Sequence, residues 1–488
     1  MSLRRTLVVA TILAAIVASI VVGQDSRAAT TTRFGSLPFA SRPYASHRTP
    51  ITTTWYCPGI PASDPSVGGS VVIVNPTDVA LQGRITLLGS DQNAPITKDV
   101  TVPARNNFTF DVAATMTATM VSATVEIDGG EGMVEQRALF PAGDAVASCT
   151  TQTSASWYFA DGFTVQGSTE QLIITNPYDD TASVDVFFAT QSGPREPSAF
   201  QGYSIPPHSV KVIAVAQAGL VDEPIIGVKL IASRGRVIVA RAEHYTDGHR
   251  LGYTLSLGAP APSEQLFFAE GQKGAGITEQ YVIFNPTKED AMVDVTVLGV
   301  TLSPDAVVLE PIPVPAGKVV TFESSTIAGL PDGPHSMVFS TLAAPSIVVE
   351  RVLTKPAGDK VATTVVMGMT PEYAVSRWYV PIGVDAATQG ALVLYNVDAA
   401  QATVTVKAIG PGGAVAVPGL ETVTLVGSGT LSIDLTDPSV FGRPLVVEST
   451  QRVFVERRLP RGHSLLGRSG SWALPECGPC SFSSPPSS

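Results

Sequence analysis

The chain has 488 residues and a formal net charge of −11 at pH 7, with 44% hydrophobic and only 15% charged residues. That apolar content excludes a wholly disordered chain, which needs few hydrophobic and many charged residues. The acidic balance argues against nucleic acid as a partner, because phosphate backbones attract basic surfaces. Length allows three domains, or four small ones.

In chain order the first signal is Arg4-Arg5 followed by an uncharged, largely apolar run from Thr6 to Gly23. A basic start before an apolar stretch marks export. The run of about 18 residues lies at the upper end for a signal peptide and the lower end for a membrane span. Residues 1–23 are therefore expected to be either a cleaved signal peptide, with cleavage after Ala28 or near Val21-Val22-Gly23, or a single N-terminal membrane anchor. A buried core helix is the bland alternative. Residues 24–50 read as a flexible linker, rich in Ser, Thr, Arg and Ala. The remainder is expected to be soluble and extracytoplasmic.

The four cysteines fit an oxidising compartment. Cys57 and Cys149 bracket one sequence repeat, and a disulfide between them is expected. Cys477-Gly478-Pro479-Cys480 has a redox-type spacing but no strand-helix unit around it. It reads as a local disulfide or a pair that bonds a partner, within a disordered Cys/Ser/Pro tail over residues 473–488.

Four segments open alike: Trp55-Tyr56-Cys57-Pro58-Gly59, Trp157-Tyr158-Phe159-Ala160-Asp161-Gly162, Phe267-Phe268-Ala269-Glu270-Gly271 and Trp378-Tyr379-Val380-Pro381. They are spaced by 102, 110 and 111 residues. Each is followed by an apolar run ending in Asn, at Asn75, Asn176, Asn285 and Asn396. Each then closes on a valine-rich segment carrying Arg, at Arg137, Arg241, Arg351 and Arg457. Ordered recurrence at one period defines a repeat architecture. The expected units are residues 51–152, 153–262, 263–373 and 374–472.

Within a unit the runs are short, rich in Val, Ile, Thr and aromatics, and separated by Asn-Pro, Asp-Asp, Pro-Pro and Asp-Gly turns. Val293-Asp294-Val295-Thr296-Val297 alternates with period two, as a strand with one buried face does. Seven short strands per repeat predict an all-β chain of four tandem immunoglobulin-like antiparallel β-sandwiches. A four-bladed propeller is the runner-up, disfavoured because a blade usually has four strands in roughly 40–50 residues.

The repeated residues read as structural. Trp55, Trp157 and Trp378 are expected to pack in the core at a sandwich edge, with a sugar-stacking platform as the alternative, and Phe267 is expected at the same repeat position. The four Asn residues are expected to end strands. Adjacent Glu350-Arg351 and Glu456-Arg457 point to opposite sheet faces, each able to pair with a charge on a neighbouring strand or domain.

Candidates for chemistry are few. None of the six histidines sits in a zinc spacing, and no nucleophile elbow, phosphate loop or dinucleotide fingerprint occurs. Glu243, His244, Asp247 and His249 read as a polar hairpin tip, with a weak metal site as the sharper alternative. Asp179-Asp180, Asp222-Glu223 and Glu289-Asp290 are loop acids that can gather calcium, without a calcium-loop pattern. Asn107-Phe108-Thr109 is a formal glycosylation sequon. No catalytic, cofactor or metal residue is expected.

The Trp55–Gly59 opening, Val72-Ile73-Val74-Asn75-Pro76 and the N-terminal segment together resemble an actinobacterial secreted family of unknown function. Trp157–Gly162 and Ile174-Thr175-Asn176-Pro177 look like a widespread bacterial extracellular repeat. The resemblance spans roughly residues 50–460 and implies tandem extracellular β-sandwich repeats, with no established activity. The functional expectation is an exported, non-catalytic cell-envelope protein, a structural or adhesive rod on the order of 100–150 Å. The alternative is a binding module for an envelope polysaccharide or a partner of envelope glycan-assembly enzymes.

Overall fold

The computed structural model describes residues 43, 45–46, 52–63, 68–91, 94–139, 145–302, 309–341, 345–384, 390–460 and 468–477. The expected signal or anchor, most of the linker and the tail beyond Cys477 lie outside them; the start of the expected disordered tail is instead ordered, since Leu474–Cys477 is a strand that pairs with Trp378 and Tyr379 and buries Leu474. Residues Arg42–Ser488 form one compact unit. No helix among the described residues is long and apolar enough to cross a membrane.

The chain is all-β, built of antiparallel sheets apart from one short parallel pairing of Ala45–Ser46 with Leu474–Cys477. After a two-residue strand, β1 (Ala45–Ser46), the first repeat contributes β2 (Thr52–Ala62), β3 (Gly68–Asn75), β4 (Leu81–Gly89), β5 (Ile96–Val102), β6 (Asn106–Asp111), β7 (Ala118–Asp128), β8 (Met133–Leu139) and β9 (Ala145–Ser148). They form two sheets, ordered β2-β7-β4-β5 and β6-β3-β8-β9. Period-two alternation sends Ile85 and Val125 from one sheet and Val71 and Ile73 from the other into a shared core, all 0% exposed. In the second repeat Val184, Val186 and Phe188 are buried while Asp185 and Phe187 between them are half-buried. The same two-sheet plan recurs in the second and third repeats. In the fourth, one long strand, Leu445–Pro460, runs through both sheets and joins them.

The pairing departs from the immunoglobulin order expected. That order keeps the first two strands in one sheet, whereas β2 and β3 lie in different sheets. A register shift between Cys57 and Ile60, with Gly59 at φ 91°, bends β2 along β7. Turn chemistry and alternation identify strands, but not which distant strand each will meet.

The repeats do not extend into a rod. Edge strands Ala145–Ser148, Leu251–Leu257, Lys360–Met367 and Arg468–Trp472, one per repeat, touch in that order, and the last returns to the first. Small residues permit the approach: a Cβ on Gly470 would lie 3.2 Å from Val366, and the Val146 N–H donates to Ser469 Oγ at 2.9 Å. Burying edges against one another removes unpaired strand surface. The circuit corrects the rod expectation, and it is not the propeller runner-up, because each repeat supplies two packed sheets.

Candidate functional site

The buried charges gather where repeats meet. Glu350 and Arg351 are adjacent on one strand and point to opposite faces, so each reaches a different neighbour. Glu350, from the third repeat, enters the second. Its Oε2 accepts the N–H groups of Ala160 and Asp161, both at 2.7 Å, and Arg241 Nη1 at 3.0 Å, while Oε1 accepts Nη2 at 2.9 Å. The Arg241 guanidinium also donates to the Asp161 carbonyl and lies over the Phe159 ring. Both side chains are 0% exposed.

The motif repeats one unit on. Glu456 Oε1 accepts the N–H groups of Ala269 at 2.7 Å and Glu270 at 3.0 Å, and Arg351 Nη2 donates to its Oε2 at 2.8 Å. It repeats again at the closure: Glu135 of the first repeat accepts Arg457 Nη1 at 2.9 Å and the Ile382 N–H at 3.1 Å. The first-to-second junction is built differently. Gln136 stands at the Arg position and Ala240 at the Glu position. Gly59 closes over Ala240, where an added Cβ would come within 2.9 Å of Leu255. The Gln136 amide, fully buried, has no hydrogen-bond partner among the described residues.

A second buried layer surrounds these locks. In the second repeat Asp161 takes Arg250 Nη1 at 3.0 Å, and Glu170 lies across the strand pair from Glu243. Both Glu170 oxygens lack hydrogen bonds among the described residues. Burial, reinforced by the Glu243 charge, pushes the Glu170 carboxyl well above the usual range. Burial also raises Glu243 to about 8, against the pull of Arg241. Gly162 makes room for Glu170, since a Cβ there would lie 2.3 Å from Oε2. In the third repeat the equivalent Glu279 is bonded by His335 at 2.8 Å and by the Tyr281 hydroxyl at 2.9 Å. Glu270 behaves oppositely to Glu170. Burial opposes its charge, but Lys355, Arg351 and Arg458 outweigh that and hold its carboxyl at about 2.

Two clefts flank the Val348–Ala357 and Lys360–Met367 hairpin. One, of about 430 Å³, faces the second repeat, and its lining includes Phe163, Arg250, Gln280 and Thr354. The other, of about 470 Å³, faces the fourth repeat, and its lining includes Glu270, Gln272, Lys355 and Arg458.

The repeated residues fall as follows. Trp55, Trp157 and Trp378 are buried, and the indole N–H groups of Trp157 and Trp378 donate to the carbonyls of Val237 and Val453. Phe267 is not their counterpart. Phe267 bridges Met369 as Tyr56 bridges Thr150 and Tyr158 bridges Ala259, so buried Leu266 holds the Trp position. An aromatic pair displaced by one residue hid the shift, although Ala160-Asp161-Gly162 and Ala269-Glu270-Gly271 carried the correct alignment. The four Asn residues are 0% exposed. Each Nδ2 donates to the carbonyl four residues on: Val79, Asp180, Glu289 and Ala400, at 2.7–2.8 Å. Each also holds a more distant carbonyl, such as Val102 or Val314.

Cys57 and Cys149 form a disulfide with Cα atoms 4.5 Å apart, tying the opening strand to the segment leaving the first repeat. The Cys480 position and the Cys477 side chain lie outside the described residues. The Glu243, His244, Asp247 and His249 cluster does not converge: Glu243 is turned inward to Arg241 and Tyr245, while Asp247 accepts the N–H groups of His249 and Arg250. Asp222 accepts the Gln166 N–H and Asp290 the Ala316 N–H, each from a distant loop, and Asp179 pairs with His208. Among the described residues no group of three or more His, Cys, Asp or Glu side chains is arranged to hold a metal. Asn107 donates to the Gly442 carbonyl of the fourth repeat. Sequence reasoning missed Glu170, Arg250, Lys355 and Arg458. The recurring acid-Gly dipeptides after two openings were the available signal.

These repeats, their asparagine-held turns and their inter-repeat locks define a class of tandem β-sandwich proteins. A model for a family of unknown function, DUF5719, matches residues 141–248 and 257–455, more than half of the chain, and the protein belongs to that family. The Trp55–Gly59 opening lies outside the matched residues. No curated protein matches the chain.

Proposed function

We propose that this is an exported, non-catalytic cell-envelope protein in which four sandwich domains, one per repeat, form a closed scaffold rather than a rod. The observation that carries the reading is the use of the buried charges. Glu350, Glu456 and Glu135 each bind a neighbouring repeat's backbone and arginine, so they hold the scaffold and face no substrate. The Cys57–Cys149 disulfide supports an oxidising compartment, as does the basic-apolar N-terminus, as a signal peptide or anchor.

Cell fractionation with thiol labelling tests it. The expected result is protein in the envelope or medium with Cys57 and Cys149 protected from alkylation. A cytoplasmic pool with both thiols free would overturn it.

The two inter-repeat clefts favour a second reading, a binding module for an envelope polysaccharide or a partner of envelope glycan-assembly enzymes. Both volumes fall within the ~300–1,000 Å³ span of small-molecule sites.

A further inference from the structure

We propose that the cleft between the third and fourth repeats binds the carboxylate of an acidic sugar through Lys355 and Arg458. The proposal rests on the binding reading above and names its ligand class.

Three charged side chains line this cleft: two cations, Lys355 and Arg458, and one carboxylate, Glu270. Glu270 Oε1 lies 2.8 Å from Lys355 Nζ and 3.3 Å from Arg458 Nε. Behind them Arg351 and Glu456 are paired at 2.8 Å. The lining therefore carries one positive charge in excess. The two cations are the more open members, with side chains 21% and 16% exposed against 4% for Glu270. Glu270 stays ionised at any ordinary pH, so it fixes both cations without taking up their combined charge.

The matching junction one repeat earlier shows that this charge is not required to join two repeats. There Val352 occupies the position of Arg458 and Tyr245 that of Lys355, and the same strand-in-turn lock forms without either cation. That junction carries a single cation, Arg250, on Asp161, the counterpart of Glu270; the pair of cations on one carboxylate is specific to the third-to-fourth cleft. A guanidinium offers a planar fork that suits a carboxylate, and an ammonium adds a point charge. One surplus charge matches a monoanionic carboxylate better than a phosphate monoester, which carries about −1.5 to −2 at neutral pH. Gln272 and Thr364 supply hydroxyl-matching polar groups, and Ile277 and Pro356 an apolar wall for a sugar ring.

Calorimetric titration of the full chain at low salt with glucuronate, glucose and inorganic phosphate tests the proposal. Glucuronate should bind saturably, and glucose and phosphate at least tenfold more weakly. Lys355→Gln and Arg458→Gln should each weaken glucuronate binding tenfold or more, Arg458→Lys less. Ala357→Trp should block the cleft while leaving the ion pairs in place. Arg84→Gln, altering an exposed pair in the first repeat, should change nothing. Thermal melts of each variant report whether it has folded. Equal affinity for glucose, a preference for phosphate, or undiminished binding by folded Arg458→Gln and Ala357→Trp would overturn it. Retention of isolated envelope polysaccharide, measured in parallel, separates the two claims: if native protein retains polysaccharide but ignores glucuronate, the cleft proposal falls and the binding reading stands.

Discussion

Glu170 is a carboxyl placed where its charge costs most. It is fully buried, lies across from Glu243, and neither oxygen is hydrogen-bonded among the described residues. Its folded pKa is raised by burial and then by Glu243. A raised acid binds its proton more tightly in the folded than in the unfolded chain. Its favourable contribution is therefore complete below the unfolded value near 4.5 and is lost as pH climbs through the folded value. For its neighbour Glu243 that window runs from 4.5 to about 8. Glu170→Gln keeps the shape and removes the titration. It is expected to stabilise the protein by on the order of 1–3 kcal/mol at pH 8 and little at pH 5. Thermal melts of both proteins at the two pH values check this, and an equal shift at both would contradict it. At the same scale Asn285 holds its turn and the Val314 carbonyl. Asn285→Ala strands buried acceptors and should cost roughly 2–4 kcal/mol, read from denaturant midpoints.

One scale up, the unit of construction is the strand carrying Glu and Arg on alternate faces. The repeat period, the strand-rich content and the Cys57–Cys149 bridge were legible in sequence, since alternation, turn residues and cysteine bracketing are local or periodic signals. The partners of Glu350 and Arg351 were not, because nothing within the strand says which neighbour each face will meet. Removing one member of such a buried pair leaves an uncompensated charge, typically costing about 3–5 kcal/mol, whereas removing both costs far less. The chain already contains the double replacement, Gln136 with Ala240, at its first junction. Arg351→Gln and Glu456→Ala should therefore each lower stability by about 3–5 kcal/mol, and the double variant by clearly less than the sum. Denaturant unfolding of the three variants measures the coupling, and simple additivity would show that the lock carries none.

At the scale of the whole Arg42–Ser488 unit, the decisive contact joins residues 322 apart, Glu135 and Arg457. No sequence window spans it, which is why a linear arrangement of repeats was the natural expectation. Closure has a measurable consequence. A compact unit of this size should have a radius of gyration of about 22 Å, far below that of four sandwiches end to end over some 100–150 Å. Closure is shared between the ion pair, the Ile382 and Val146 backbone donors and the packed edge strands. Glu135→Ala therefore removes one fastening without abolishing the fold. It leaves Arg457 buried without its carboxylate, so the fourth-to-first seam should become the weakest of the four. Small-angle scattering in rising denaturant should show the variant expanding before its strand signal is lost, whereas native protein loses both together. A variant whose dimensions and strand content change in one step would mean that the seam opens only when the sandwiches themselves unfold.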